Sequence, residues 1–365
     1  METTARPFVP PFCPRPDCPH HLSPAGWRWK RAGTFTRHCE PRVIQRYRCA
    51  HCGVTFSTQT FSTTYYLKRP ELLEPVFFRL LACSGHRQIS REARCAHSTV
   101  MRQAARLGRH ALLYLQAHRP SGPVPEALVA DGFESFAFSQ YHPLHLNLVV
   151  GAESHYIYAF THARLRRKGR MTERQKERRD EIESQHGRAD PKAIERGMAE
   201  ALAIAAPTPQ ALTVRTDEHP AYPRALRRLE GYYVQHECTP SVAARTTGNP
   251  LFPVNLVDSM LRHNSSHLKR ESIAYSKRHQ AVIERAALLV LWRNYVKPFS
   301  ENHGGGTPAM RLGLRTCPQS PKELLRERLF ATRVALPEPW AAYYRRLEDT
   351  PGIANPARHA LKRAF

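Results

Sequence analysis

The chain has 365 residues and carries 55 Lys plus Arg against 31 Asp plus Glu, a formal net charge of +24. Such an excess goes beyond what solubility requires and points to a polyanionic partner, nucleic acid ahead of a membrane surface. No run of about 18 apolar residues could span a bilayer, and the N-terminal METTARPFVPPFC lacks the apolar centre of a secretory signal, so a cytoplasmic location is expected.

Five of the nine cysteines fall between residues 13 and 52, a clustering that suits metal binding better than disulfides. Cys13 and Cys18 flank PRPD, and Cys49 and Cys52 flank AH in RYRCAHCGVTF. Two such pairs can bring four thiolates around one tetrahedral zinc, which predicts a zinc ribbon over 1–62. The wide first pair leaves His20, His21, His38 and Cys39 as alternative ligands. Gly53 suits a tight knuckle turn, and Arg46, Tyr47 and Arg48 are expected to present charge and a ring to a nucleic-acid strand.

A helical domain is predicted over 63–120, from PELLEPVFFRLLACSG, ISREARCA and STVMRQAARLGRHALLYL. Ser90 and Ser98 are the expected N-caps of the second and third helices. A helix-turn-helix of this kind would carry Thr99, Arg102, Gln103 and Arg106 toward the major groove. The alternative is a helical packing domain with a solvated basic face.

From 121 to 315 the pattern is α/β. EALVADGFESF reads as a strand ending at Asp131, HLNLVVGAESHYIYAF as two further strands, and ALTVRTDEHPAYPRAL as a strand ending at Asp217 with a helix starting near Pro220. A charged helical insertion is expected at about 164–203. Alone, Asp131-Gly132 reads as a turn. Two strands that each end on an aspartate, however, place like charges side by side, which cations would relieve. A helix from about Pro253 supplies the third acid. At about 100° per residue, Asp258, Arg262, Ser265 and Lys269 share one stripe, while Glu271 falls near the apolar stripe and ranks second, ahead of Glu134. The helix over 281–298 is expected to pack on the sheet with Trp292 as filler, and Gly304, Gly305 and Gly306 form a flexible turn. Residues 316–365 read as a basic tail.

The stretches CPRPDC, QRYRCAHCGVTF, ISREARCAHSTVMRQAARLG, VADGFESF, RTDEHPAYPRAL, DSMLRHNSSHLKRESIAYSK and LLVLWRNYVKPF followed by TPAMRLGL together resemble bacterial insertion-sequence transposases of the DDE type. The resemblance implies a ribonuclease H-like core, related to that of retroviral integrases, behind the zinc ribbon and the helical DNA-binding domain. It implies Asp131 and Asp217 as the first two catalytic acids and a third on the helix near 254–270, where glutamate is usual and Asp258 is best placed here. It further implies Mg²⁺ or Mn²⁺ on the acids, element ends and target DNA as partners, assembly into homo-oligomers on DNA, and residence at the bacterial nucleoid; the residues expected from their charge and placement to contact DNA are Arg46, Arg48, Thr99, Arg102, Gln103, Arg106, Arg262 and Lys269. Two other functions fit the same residues: a zinc-containing regulator with a non-cleaving core, and a nuclease without strand transfer.

Overall fold

The computed structural model describes residues 8–269, 271–302 and 304–359. It opens on a three-stranded antiparallel sheet of β1 (Trp29–Thr36), β2 (Val43–Cys49) and β3 (Thr55–Ser57), in that order. β2 alternates as a half-buried strand should: Tyr47 and Cys49 point inward, while Arg46 and Arg48 face solvent. The expectation that Tyr47 offers its ring to nucleic acid is therefore wrong. That ring stacks on Phe56 at 5.7 Å in an aromatic core that also holds Phe61. A module this small has little aliphatic bulk, so rings and cysteines fill its interior.

Three helices follow, α1 (Leu73–Leu81), α2 (His86–Glu92) and α3 (His97–Ala117). Neither serine caps as expected. Ser90 lies within α2 and donates to the Arg87 carbonyl, and Ser98 lies inside α3, whose N-cap is Ala96. The remainder comprises β4 (Leu128–Phe136), β5 (Pro143–Gly151), β6 (Ile157–Arg164), α4 (Glu173–His186), α5 (Ala193–Ala205), β7 (Ala211–Thr216), α6 (Ala221–Leu226), β8 (Tyr233–Cys238), α7 (Phe252–Asn264), α8 (His279–Tyr295), α9 (Pro308–Arg311), α10 (Pro321–Leu324) and α11 (Trp340–Tyr344). Among the described residues no helix is long and apolar enough to cross a membrane.

The large sheet is mixed, with strand order β6-β5-β4-β7-β8; β4, β5 and β6 pair antiparallel, and β4, β7 and β8 pair parallel. β4 does not stop at Asp131. It pairs with β5 as far as Phe136, so Asp131-Gly132 is mid-strand and not a turn. Gly132 is required by its neighbour: a Cβ there would lie 1.8 Å from the His145 ring. Strand β8 escapes sequence reading because YVQHEC is polar and part-exposed at the sheet edge.

Both faces of the sheet are covered, which is why eight successive residues of β5 are buried on alternating sides. α5 covers one face; its Gly197 sits so close that a Cβ would meet the Asn147 amide at 2.5 Å, and Thr161 donates to its carbonyl at 2.6 Å. The 164–203 segment thus divides into α4, which buries nothing, and a core helix whose apolar face the adjoining charges obscure. α7 and α8 cover the other face, and α3 crosses α8 where Gly108 meets the Glu284 backbone. α3 is accordingly a core helix of the whole molecule through most of its length.

The segment after 316 is not a free tail. Arg328 donates to the Thr60 carbonyl and Phe330 packs on Phe12 and Phe61, so this part closes the ribbon. Trp340 then donates to the Phe160 carbonyl at 2.9 Å and the Tyr343 hydroxyl accepts from the His162 amide at 2.7 Å, fastening α11 over β6. Residues 360–365 of the expected tail lie outside the described residues.

Gly108→Ala tests the α3–α8 crossing. The added Cβ would lie 2.7 Å from Glu284 Cα, so a loss of about 1–3 kcal/mol is expected in urea unfolding. Unchanged stability would show that the two helices do not meet there.

Candidate functional site

Strand register brings two aspartates together. β4 and β7 pair through Leu128–Val214 and Val129–Arg215, and three residues beyond the first of these pairs stand Asp131 and Asp217. Side chains alternate along a strand, so both aspartates share the face of Val129 and Arg215. That face is the one α7 crosses, since Arg262 of α7 lies over the Phe133 ring at 4.4 Å. Asp258, one turn before Arg262, therefore looks into the same place.

The three carboxylates feel one another. Burial, and then the Asp217 charge, raise Asp131 above the ordinary carboxylate range, against the Gly132 N–H at 2.7 Å, the Tyr222 hydroxyl at 2.9 Å and the Arg245 charge. Burial and the Asp131 charge push Asp258 up to about 7, against Arg262 and Arg245, and its buried Oδ1 has no hydrogen-bond partner. Asp217 accepts from the His219 N–H at 2.9 Å. Burial raises the Tyr222 hydroxyl strongly, followed by the charges of Asp131, Asp217 and Asp258, so it stays a donor at neutral pH. Sequence reading missed Tyr222 and Arg245. Tyr222 was findable, because YPRAL begins the helix that leaves Asp217; Arg245 lies in an irregular loop and gave no signal.

Among the described residues the three carboxylates do not draw within 4.8 Å of one another as a group of metal ligands; only Cys13, Cys18, Cys49 and Cys52 do. An ideal ZnS₄ tetrahedron separates its sulfurs by about 3.8 Å, so the cysteine group can hold zinc. Cys13 and Cys52 Sγ stand 3.5 Å apart. Burial pushes the Cys13 and Cys18 thiols up. For Cys49 burial is outweighed by the Cys52 and His51 amides and the Trp27 indole, which donates at 3.2 Å, and the thiol falls to about 6. None of the alternative ligands is needed. His21 instead donates from Nδ1 to the Cys13 carbonyl and pairs through Nε2 with Thr332 Oγ1, both at 2.8 Å.

The expected DNA contacts are scattered. Arg46, Arg48, Arg102 and Lys269 are exposed, while Thr99 and Arg262 are half-buried. Gln103 and Arg106 are buried and committed: Gln103 donates to the Arg69 carbonyl at 3.2 Å and Arg106 to the Thr63 carbonyl at 2.8 Å. They cannot read a groove, because α3 turns its middle into the core. The stripe continuing to Ser265 and Lys269 also fails, since α7 ends at Asn264. Glu271 and Glu134 are exposed, and Glu271 sits in a turn with φ +52°.

No family model matches the chain, and no curated protein matches it. Among solved structures it is similar to a chain of the cryo-EM structure of the simian T-cell lymphotropic virus intasome in complex with PP2A regulatory subunit B56 gamma, at 14% identity over 68% of this chain and 74% of that one, with a TM-score of 0.27. A TM-score that low carries no weight for the site.

Two outcomes are expected. Purified under reducing conditions, the protein should carry about one zinc, and Cys49→Ser should lower both zinc content and melting temperature; a metal-free, equally stable protein would remove the zinc assignment. For Asp258, a folded-state pKa above the unfolded value of about 3.9 means that the favourable protonated state is lost as pH rises toward about 7. Asp258→Asn should therefore raise Tm at about pH 8 and change it little at about pH 4. Equal effects at both would show that Asp258 is not a strained charge.

Proposed function

We propose that this chain is a DNA transposase of the DDE type, which cleaves and joins phosphodiesters at the ends of its element through Asp131, Asp217 and Asp258. The observation that carries the reading is the convergence of a mid-strand acid, an acid at the end of the adjacent parallel strand, and a helix acid on one sheet face. The strand order β6-β5-β4-β7-β8, three antiparallel strands followed by two parallel ones, is the order expected of a ribonuclease H-like sheet.

The acids fit divalent ions in their chemistry. They are hard oxygen ligands, mutually repulsive, and Asp258 keeps a buried oxygen without a partner. Mg²⁺ or Mn²⁺ held there would polarise the scissile phosphate and lower the pKa of an attacking water. The chain's own part is positional. Gly132 N–H and Tyr222 fix Asp131, His219 N–H fixes Asp217, and Arg245 brings positive charge to the same mouth, where a phosphate would dock. Exposed Arg46 and Arg48 on the ribbon would hold a DNA backbone away from the acids.

The wide spacing of the three carboxylates is the one observation that favours the alternative, a zinc-containing regulator with a non-cleaving core. Nicking of supercoiled plasmid bearing the element ends decides between them. Asp131→Asn, Asp217→Asn and Asp258→Asn should each lower metal-dependent nicking and strand transfer by about 10²-fold or more while DNA affinity stays within a few fold, and Glu271→Gln should be mild. Wild-type nicking by Asp131→Asn would end the proposal, and nicked product without joined product would make the protein a nuclease.

A further inference from the structure

α8 contains an arginine that lacks a counter-charge. Arg285 is buried; its Nη2 donates to the Ser84 carbonyl at 3.3 Å and to Ser266 Oγ at 3.1 Å, while Nε and Nη1 have no acceptor. An unpaired buried cation destabilises the fold unless negative charge is supplied from elsewhere. Arg285 lines a cavity of about 190 Å³ together with His86, His267, Arg102, Arg278 and Arg346. One acid, Glu284, also lines it, but Glu284 is engaged by Arg346 at 2.8 Å. The two imidazoles stack edge-on at 5.1 Å and present unpartnered His86 Nε2 and His267 Nδ1 atoms. Burial, and then the Arg285 charge, hold both in the neutral range.

The cavity shares His86, Met101, His267, Arg278 and Ala281 with a wider cleft of about 730 Å³. One wall of that cleft is α2 with the start of α3; the other is the segment from Ser266 to Lys277 that leaves α7. Its rim carries exposed Arg87, Arg91, Lys269 and Lys277, and among the described residues no Asp or Glu lines it. These four have no carboxylate within ion-pair distance among the described residues, whereas Arg79 and Arg69 nearby are paired with Glu92 and Glu71. Like charges on both walls and an uncompensated charge at the back repel one another until an anion enters.

We infer that this cleft seats the phosphodiester backbone of a nucleic-acid strand, with Arg285 as the buried charge behind the seat and the rim cations gripping the flanking phosphates. The identity of the anion as a strand rests on the proposed DNA chemistry; the presence of an anion site does not. The arrangement also gives a use to the N-terminal end of α3, where Arg102 remains exposed although Gln103 and Arg106 do not.

The test uses the full chain without divalent ions, a fluorescent ~20-bp duplex titrated at several salt concentrations, and thermal melting with inorganic phosphate. Replacing Arg87, Lys269 and Lys277 together by Glu should weaken duplex binding about tenfold or more and flatten its salt dependence, whereas Lys322→Glu, away from the cleft, should not. Arg285→Met should fold and melt at or above the wild-type temperature, since it removes an unpaired buried charge, and should lose both the stabilisation by phosphate and most of the duplex affinity. Unchanged duplex affinity in the triple rim variant overturns the inference, whether or not Arg285→Met folds. Phosphate stabilisation that Arg285→Met abolishes, with duplex binding untouched, would make this a site for a free anion and equally overturn the strand. Nicking assays separate the two proposals: a rim variant that binds and nicks normally defeats the cleft alone, and cleft-dependent binding without nicking by the wild type defeats the transposase alone.

Discussion

The short parallel pairing between β4 and β7 is the constraint on which the site depends. Only Leu128–Val214 and Val129–Arg215 are paired before the strands part, and Asp131 and Asp217 stand just beyond the last of these pairs. A shift of one residue would send one aspartate to the α5 face, where Asn147, Thr161 and Gly197 leave no space for it. On the other edge β4 is locked to β5 over its whole length, with the His145 ring filling the volume that Gly132 leaves vacant. The dipeptide Asp-Gly thus serves two faces of one strand: the acid faces α7, and the missing side chain admits an imidazole beneath.

Much of this was legible in the sequence, for identifiable reasons. The cysteine spacing, the apolar strands before Asp131 and Asp217, and the helix around Asp258 depend on local pattern, and local pattern survives in one dimension. What was lost depends on tertiary partners. α3 reads as an amphipathic DNA reader because its polar residues recur at helical spacing, yet Gln103 and Arg106 spend their donors on the carbonyls of Arg69 and Thr63. α5 reads as part of a charged insert because α4 precedes it. β8 and the strap after 316 carry no clear periodicity at all, since edge pairing and long-range carbonyl contacts hold them.

The net charge also means less than composition implied. Several arginines serve as clips between a helix or strand and a distant loop carbonyl, as Arg119 does to Ile204, Arg311 to Glu153 and Arg328 to Thr60. The planar guanidinium, with five donors, is suited to that work in a way lysine is not. Arg293 is among the largest fully buried side chains, donating to the Pro298 carbonyl beside the Phe299 ring. Charge available to a polyanion is therefore concentrated in places, such as the outer face of β2 and the rim around α2, and is not spread evenly over the molecule.

The closing of the ribbon by the C-terminal strap has a consequence for how the chain is made. His21 meets Thr332 at a sequence separation of 311 residues, and Phe330 completes the ring cluster that Phe12 and Phe61 begin. A ribosome releases the cysteines long before this aromatic. In the interval the ribbon waits with one side of its interior open to water, and metal capture by the four thiolates would be what holds its shape until Phe330 and Thr332 arrive.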